Sequence, residues 1–416
     1  MKVVHINAYY KYGSTGSILY DIHNYLLKSK YKSYIIYGKN RLKNDNKNII
    51  FCGNKYSFII HKVLYHFFGN PLAYSYFETK KIIKKLDLIK PDIIHLHNLH
   101  DYYINNKLLF NYIIKNKVKV VWTFHDCWAF TGHCCHYKTI ECNKWQTECS
   151  NCPLQRKGPR SMIFDRSKEF YYKKKVLFNK INDLEIICVS DWLKNETQKS
   201  FLGNKSIHRI YNWIDTNIFY PEKKDKIDKI KKELKIGNKF VILGISFNWV
   251  KQKGIYDFIE LSKRLDDNYV IVLVGNLVNN KIYDKNNMYF IPSNIIVLPP
   301  SQNTSLLRLY YSMANVFINP SEVETFGLTT AESLACGTPA IVYDNTASPE
   351  IVGLDGKCGE VIKYDENRID NMIYSINRIK DSSSYKKECL ARVNKKFLSN
   401  NIKQYISIYR RLYEEK

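Results

Sequence analysis

The segment Asn319-Pro-Ser-Glu-Val-Glu324-Thr-Phe-Gly327-Leu-Thr-Thr-Ala-Glu332-Ser-Leu-Ala-Cys-Gly337-Thr-Pro339 sets two glutamates, separated by seven residues, around a glycine. An apolar run ends at Pro320, a loop carries Glu324, and Gly327 opens a helix whose second turn carries Glu332. Backbone N–H groups of Gly327, Leu328 and Thr329 would point out of the amino-terminal end of that helix. Such an end favours a phosphate, through its unpaired donors and through the helix dipole. Glu324, just ahead of it, is placed to reach sugar hydroxyls, and Glu332 to accept both hydroxyls of a ribose. The spacing alone fits two surface glutamates beside a buried helix equally well.

Further candidates lie in the first half of the chain. His125 ends the strand-like run Lys119–His125, at the edge where open α/β sheets place their ligands. His95, His97 and His100 follow another such run. Alternation puts His95 and His97 on one sheet face. The group reads as pocket lining or plain structure more readily than as a metal site. All eleven histidines precede residue 209, so the second half must act on its ligand without imidazole, as suits a nucleotide-holding unit.

Six of the eleven cysteines fall within Cys127–Cys152, including the C-x-x-C pair Cys149 and Cys152. In a cytosolic chain, clustered cysteines favour a metal over disulfides. Four thiolates complete a closed tetrahedral zinc site, which would brace a long loop lacking a core of its own. The expected set is Cys134, Cys142, Cys149 and Cys152, with Cys135 or His136 as substitutes; disulfides and free thiols are the alternatives.

Positioning these residues requires apolar β-branched runs alternating with amphipathic stretches, the rhythm of parallel sheets covered by helices. Strands are expected at Lys2–Asn7, Ser33–Tyr37, Asp92–His97, Lys119–His125, Glu185–Ser190 and Arg209–Asn212. From about Gly237 the rhythm restarts, with strands at Phe240–Ser246, Tyr269–Gly275, Ile295–Leu298, Val316–Pro320 and Ala340–Tyr343. Two sets of βα units imply two doubly wound domains, joined near the lysine-rich stretch Pro221–Lys235 and followed by an amphipathic helix at about Ile402–Glu414. The aromatic-rich region Phe58–Phe77 reads either as a membrane-touching surface or as a helix pair covering the first sheet.

The glutamate segment resembles glycosyltransferase family 4, whose hallmark P-S-x-x-E-x-F-G-x-x-x-x-E followed by G-x-P is matched residue for residue. Gly13-Ser-Thr-Gly16, His125-Asp126, Ser190-Asp-Trp-Leu, Asn212-Trp-Ile-Asp215 with Phe219, and Lys253-Gly254 extend the resemblance over nearly the whole chain. It implies the GT-B fold, an α/β architecture of two Rossmann-like doubly wound domains facing across a cleft. The domains would be an acceptor-binding one at 1–220 with a cysteine-rich insert at 127–153, a nucleotide-sugar-binding one at 221–398, and a terminal helix at 399–416 packing back on the first. The implied activity is retaining transfer of a sugar from a UDP- or GDP-sugar to a glycan hydroxyl.

By the same resemblance, Glu324, Lys253 and His125 are the catalytic candidates. Lys253 would face the donor diphosphate as leaving-group charge develops, and His125 would lie beside the donor sugar. Gly13, Gly16, Asn248, Lys251, Phe326, Gly327, Leu328, Thr329 and Glu332 would complete the donor site, and His97, His100 and Asp126 would meet the acceptor. The family's arginine about five residues before the lysine is replaced by Asn248, which supplies no charge, and Lys251 is the nearby candidate to substitute for it. No D-x-D pair occurs, so the resemblance implies no catalytic metal or other cofactor, with zinc confined to the insert.

Composition sets the outer limits. With 64 Lys+Arg against 39 Asp+Glu the formal charge is +25, while 45% hydrophobic residues exclude a mostly disordered chain. No apolar run is long enough to span a bilayer, and the opening residues lack a signal-peptide pattern. A cytoplasmic protein is expected, with a polyprenyl-diphosphate-linked acceptor and contact with the inner membrane surface. The charge lacks any arginine-rich tail or nucleic-acid-binding signature, so no specific nucleic acid is expected. Two rival readings are a catalytically silent sugar-nucleotide-binding subunit and a zinc-containing nucleic-acid-binding protein.

Overall fold

The computed structural model describes residues 1–42, 46–70, 72, 74–157, 160–277, 281–284, 287–382 and 384–415. The chain forms two compact units, one built from Met1–Tyr211 with Asn400–Lys416 and the other from Asn212–Ser399.

The first unit holds seven strands: β1 (Lys2–Asn7), β2 (Lys32–Tyr37), β3 (Ile49–Phe51), β4 (Ile93–Leu96), β5 (Lys119–Phe124), β6 (Leu184–Cys188) and β7 (Ser206–Arg209). They pair in the order β3-β2-β1-β4-β5-β6-β7, every pair parallel. The central strands are apolar runs buried along nearly their whole length, as a sheet covered on both faces requires. Helices α1 (Gly13–Lys28), α2 (Lys55–Phe68), α3 (Tyr76–Ile89), α4 (Asn106–Lys115), α5 (Ser167–Asn179) and α6 (Asp191–Gln198) belong to this unit. The Ser190-Asp-Trp-Leu motif starts α6, the Ser190 hydroxyl accepting the Leu193 N–H at 3.1 Å as a helix cap.

In the second unit, α7 (Lys224–Glu233) precedes β8 (Phe240–Asn248), α8 (Ile255–Arg264), β9 (Tyr269–Asn276) and a hairpin of β10 (Lys281–Asp284) with β11 (Asn287–Phe290). Then follow β12 (Ile295–Leu298), α9 (Thr304–Met313), β13 (Val316–Asn319), α10 (Leu328–Ala335), β14 (Ala340–Tyr343), α11 (Ser348–Val352) and β15 (Gly359–Ile362), and α12 (Arg368–Lys380) and α13 (Tyr385–Lys396) close the unit. Its sheet runs β12-β9-β8-β13-β14-β15. Both sheets therefore reverse direction beside their first strand, between β1 and β4 and between β8 and β13. Open α/β sheets bind ligands at that switch point.

Helix α14 (Ile402–Glu414) returns the chain to the first unit. It buries Ile402, Tyr405, Ile406, Tyr409 and Leu412, one stripe of a 3.6-residue period. The Tyr409 hydroxyl bonds His95 Nδ1 at 2.7 Å, and Lys119 Nζ caps the helix end by donating to the Leu412 and Glu415 carbonyls.

Two expectations about elements need correction. The strand placed at Arg209–Asn212 is Ser206–Arg209, because β7 is an edge strand with one neighbour and tolerates Ser206, His208 and Arg209. The more apolar residues that follow, Ile210–Ile214, are buried as irregular chain. The stretch Pro221–Lys235, expected at the junction, carries α7 of the second unit, and the passage between units comes earlier, at Tyr211 and Asn212.

Candidate active site

The strongest constellation lies at the switch point of the second unit. Beyond β8 the chain makes a 3-10 turn, Lys251–Lys253, and leaves it through Gly254 at φ +72°. A Cβ there would stand 2.4 Å from the Pro320 carbonyl oxygen, so only glycine lets this turn lie on the loop after β13. The Gln252 carbonyl then accepts the Glu322 N–H at 3.0 Å. These contacts bring together two side chains 71 positions apart in sequence: Lys253 Nζ donates to Glu324 Oε1 at 2.6 Å. The Glu324 main chain is held independently, its N–H donating to Thr346 Oγ1 at 2.9 Å and its carbonyl accepting the Ala347 N–H at 3.1 Å.

Gly327, at φ +97°, turns the chain from this loop into α10, and no side chain caps the helix. The first intrahelical donors are Thr330 and Ala331, both to the Gly327 carbonyl at 3.1 Å. The amides of Leu328 and Thr329 therefore lie ahead of the ladder, as at every helix start. Phe326 turns its ring inward, edge-on to Phe397 at 5.6 Å between centroids, so its side chain belongs to the core. Glu332 Oε2 accepts from the Tyr311 hydroxyl at 2.8 Å, and burial pushes the Glu332 carboxyl up to about 7. Asn248 ends β8 with its Oδ1 accepting from Asn276 Nδ2 at 3.1 Å, and Lys251 is exposed on the 3-10 turn.

In the first unit the switch point gathers the loop after β1 and the residues after β4 and β5. Gly13, at φ +65°, is the first residue of α1, and Gly16 lies in its first turn. Asn7 Oδ1 accepts the Asn98 N–H at 3.3 Å, tying the ends of β1 and β4. His97 Nδ1 and His125 Nε2 stand 3.1 Å apart with stacked rings. Burial pushes the His125 imidazole down to about 4 and holds His97 well below its usual value, so both are neutral near pH 7. The neighbouring pair behaves oppositely. His100 Nε2 meets Asp126 Oδ2 at 2.7 Å. Burial opposes their charges, but Cys135 and Asp126 raise His100 well above its usual value, and His100 holds Asp126 well below its own. His95 lies below this edge, its ring 4.1 Å from that of His97, and is fully buried beneath Tyr405 and Tyr409 of α14.

The cysteine-rich insert has an aromatic core, contrary to expectation. Trp145 packs between Phe130 and Tyr137 at 5.0 and 4.8 Å, and buried Lys174 lies 3.6 Å from the Trp128 ring centroid while donating to the Trp128 and Thr131 carbonyls. Cys149 Sγ accepts the Gly132 N–H at 3.2 Å. Among the described residues, the groups whose ligand atoms lie within 4.8 Å of one another are His5 with His95 and His97, and His100 with Asp126 and Cys135, not the four expected cysteines.

Sequence reasoning overlooked Tyr311, which anchors Glu332, and Thr346, which holds the Glu324 main chain. Thr346 had a local signal, since it follows the turn-forming Asp344-Asn345. Tyr311 reads as one more apolar position of α9 and gave none.

Two doubly wound units of matching strand order, the second with a Lys–Glu pair and an uncapped helix start at its switch point, define the GT-B class. The chain belongs to the family 4 and group 1 glycosyltransferases: residues 15–218 match Glycosyltransferase Family 4 and residues 226–396 match Glycosyl transferases group 1. It is 27% identical to the putative colanic acid biosynthesis glycosyl transferase WcaC of Escherichia coli over 44% of this chain and 46% of that one. It is 24% identical to the α-maltose-1-phosphate synthase of Mycolicibacterium smegmatis over 44% of this chain and 49% of that one, so the match spans about half the length of each of these two relatives. A 41.2 kDa protein from the cps region of Klebsiella pneumoniae is 24% identical over 99% of both chains. Among solved structures, a Rickettsia africae glycosyltransferase superposes with a TM-score of 0.69 at 13% identity, covering 100% of this chain and 99% of that one. Anabaena HepE, solved with UDP and glucose, does so at 0.66 and 14%, covering 99% of both chains.

Proposed function

We propose that this chain transfers a sugar, with retention of anomeric configuration, from a nucleotide sugar to a hydroxyl of a surface-polysaccharide precursor. The acceptor is lipid-linked and met at the inner membrane face. The observation that carries the reading is the Lys253–Glu324 pair, 2.6 Å apart, beside the uncapped start of α10. A lysine there offsets the charge that grows on the leaving diphosphate, and the α10 amides offer fixed donors to it. Glu324 positions the sugar by its hydroxyls. Because the protein itself supplies that positive charge, no divalent ion is needed to hold the diphosphate. In the first unit, His125 and His97 are neutral hydrogen-bonding groups for sugar and acceptor, and the His100–Asp126 pair fixes the edge on which the acceptor lies.

A zinc ion drawing Cys134, Cys142, Cys149 and Cys152 together would brace the insert, and elemental analysis at one zinc per chain tests it. The central test of function is consumption of UDP- and GDP-sugars with membrane-extracted acceptor, with and without a chelator, and NMR assignment of the product anomer. Chelator-resistant transfer with retention is expected. Donor binding without hydrolysis or transfer would instead establish a silent binding subunit.

A further inference from the structure

Of the two groups whose ligand atoms converge, one suits a cation and the other does not. His5, His95 and His97 are sealed in the core of the first unit, and burial keeps all three imidazoles neutral. A dication there would be buried without an opposite charge. His100, Asp126 and Cys135 instead bring an imidazole, a carboxylate and a thiol, one ligand atom of each within 4.8 Å of the others. As carboxylate and thiolate, the last two cancel the charge of a divalent ion. The set is also accessible. The His100 and Asp126 side chains remain 14% and 12% exposed and Cys135 is half-buried, so an ion can enter.

The surroundings hold these groups in place. Asp126 Oδ1 accepts the Trp128 N–H at 2.8 Å, which leaves Oδ2 facing His100 Nε2 at 2.7 Å. On the other side of that imidazole, Asp101 Oδ1 stands 3.9 Å from Nδ1, where metal-bound histidines commonly have a carboxylate. The Cys135 carbonyl accepts the Cys127 N–H at 3.0 Å, fastening the insert beside the loop after β5. Zinc bonds of about 2.0–2.3 Å put tetrahedral ligand atoms about 3.4–3.6 Å apart, so an ion would part His100 from Asp126 by under about 1 Å. Both residues lie in loops beyond β4 and β5, outside the strands.

Beside them, His100 and Asp126 line a hollow of about 10 Å³ with His97, His125 and Trp128, room for about one water. The buried Nε2 of His97 has no hydrogen-bond partner among the described residues, and a water on an ion in this place can supply one. Two basic groups also act on Asp126. Lys174, which burial brings down to about 7, donates to the Trp128 and Thr131 carbonyls at 2.7 and 3.0 Å, and His136 is exposed to screening solvent.

We propose that His100, Asp126 and Cys135 form a second metal site, separate from the cysteines of the insert, for a divalent ion that accepts nitrogen, oxygen and sulfur together, zinc above all. Three protein ligands leave its fourth position open to water. The ion clips the insert to the loops after β4 and β5 and does not hold the donor diphosphate. With one sulfur it binds more weakly than four thiolates do, so a chain that carries zinc in the insert can take a second ion here. The site stands whether or not the chain transfers sugar.

The test is titration of Co²⁺ into the full chain, as purified and under a non-thiol reductant, read by affinity and by sulfur-to-cobalt absorption. Wild type should take up one equivalent more than Cys135→Ser, and the difference between them should carry the absorption of a single thiolate. Asp126→Asn should weaken binding of that equivalent by roughly tenfold or more while keeping its sulfur signal. Circular dichroism and thermal unfolding check that the variants fold. If Cys135→Ser does not, His100→Gln gives the same reading as Asp126→Asn, weaker binding with the signal kept. Equal uptake by wild type and Cys135→Ser would overturn the proposal, as would wild-type affinity in Asp126→Asn. Loss of a four-thiolate signal in Cys135→Ser would also overturn it, since Cys135 would then belong to the insert site.

Discussion

Lys253 donates to Glu324 across 2.6 Å, so neither can be removed without changing the other. Lys253→Ala deletes a positive charge and also leaves a carboxylate facing the diphosphate. Turnover should fall by about 2–4 kcal/mol of barrier, and Glu324→Gln added to it should cost less than the two separate losses summed. Steady-state kinetics of the four proteins checks this, strict additivity being the failing result. Glu332 adds a pH signature. Its carboxyl, pushed up to about 7 from 4.5 by burial, keeps a proton in the folded chain that the unfolded chain has lost. The stability from this group is therefore complete below about pH 4.5 and declines as pH rises to about 7. Glu332→Gln does not titrate, so its melting temperature should gain on wild type across that window; a pH-independent gap would refute the assignment. Donor affinity should weaken below about pH 7, where the protonated carboxyl accepts hydroxyls poorly. Both glutamates were legible in the sequence because their glycine-punctuated spacing is local. The lysine–carboxylate contact and the tyrosine on Glu332 were not, because both partners come from distant segments.

Elements carry the next level of specification. The turn after β8 can rest on Pro320 only through Gly254, and that contact places Lys253. Gly254→Ala should therefore cost about 1–3 kcal/mol in urea unfolding, from positive-φ strain and the contact with Pro320, and should depress turnover as Lys253→Ala does. Wild-type turnover in a destabilised variant would separate strain from positioning. Most strands could be read within a residue or two because buried parallel strands are continuous apolar runs, as Val241–Leu243 and Val270–Val274 show. The exceptions are edge or very short strands. Strand β7 lies at a sheet edge, where one partner suffices and polar residues are tolerated, and β3, β10, β11 and β15 are only three or four residues long, too short for a run to stand out. Gly13-Ser-Thr-Gly16 is a helix start, Gly16 being buried where a Cβ would press the Lys11 amide nitrogen at 3.2 Å.

For the molecule as a whole, chain order and unit membership disagree. Residues 1–211 need α14, which arrives only after the complete second unit, to cover His95 and the ends of β4 and β5. Tyr409→Ala should destabilise the first unit by about 3 kcal/mol or more, through the lost ring and the lost bond to His95. Hydrogen exchange read unit by unit checks this: protection should fall in β4 and β5 and hold in β8 and β9, and an equal loss in both units would refute it. The two-unit rhythm was legible along the chain, but the crossing at Tyr211 was not, since the irregular segment Ile210–Ile214 is as buried as a strand. The discontinuity also orders events during synthesis. On the ribosome the second unit is complete once Ser399 has emerged, whereas the first, translated earlier, stays unfinished until residues 402–414 are released. Nascent chains usually settle in the order they are made. Here the earlier-made half must wait for the later one with an apolar face uncovered, so a stall between residues 212 and 400 would strand it there, open to chaperones and proteases.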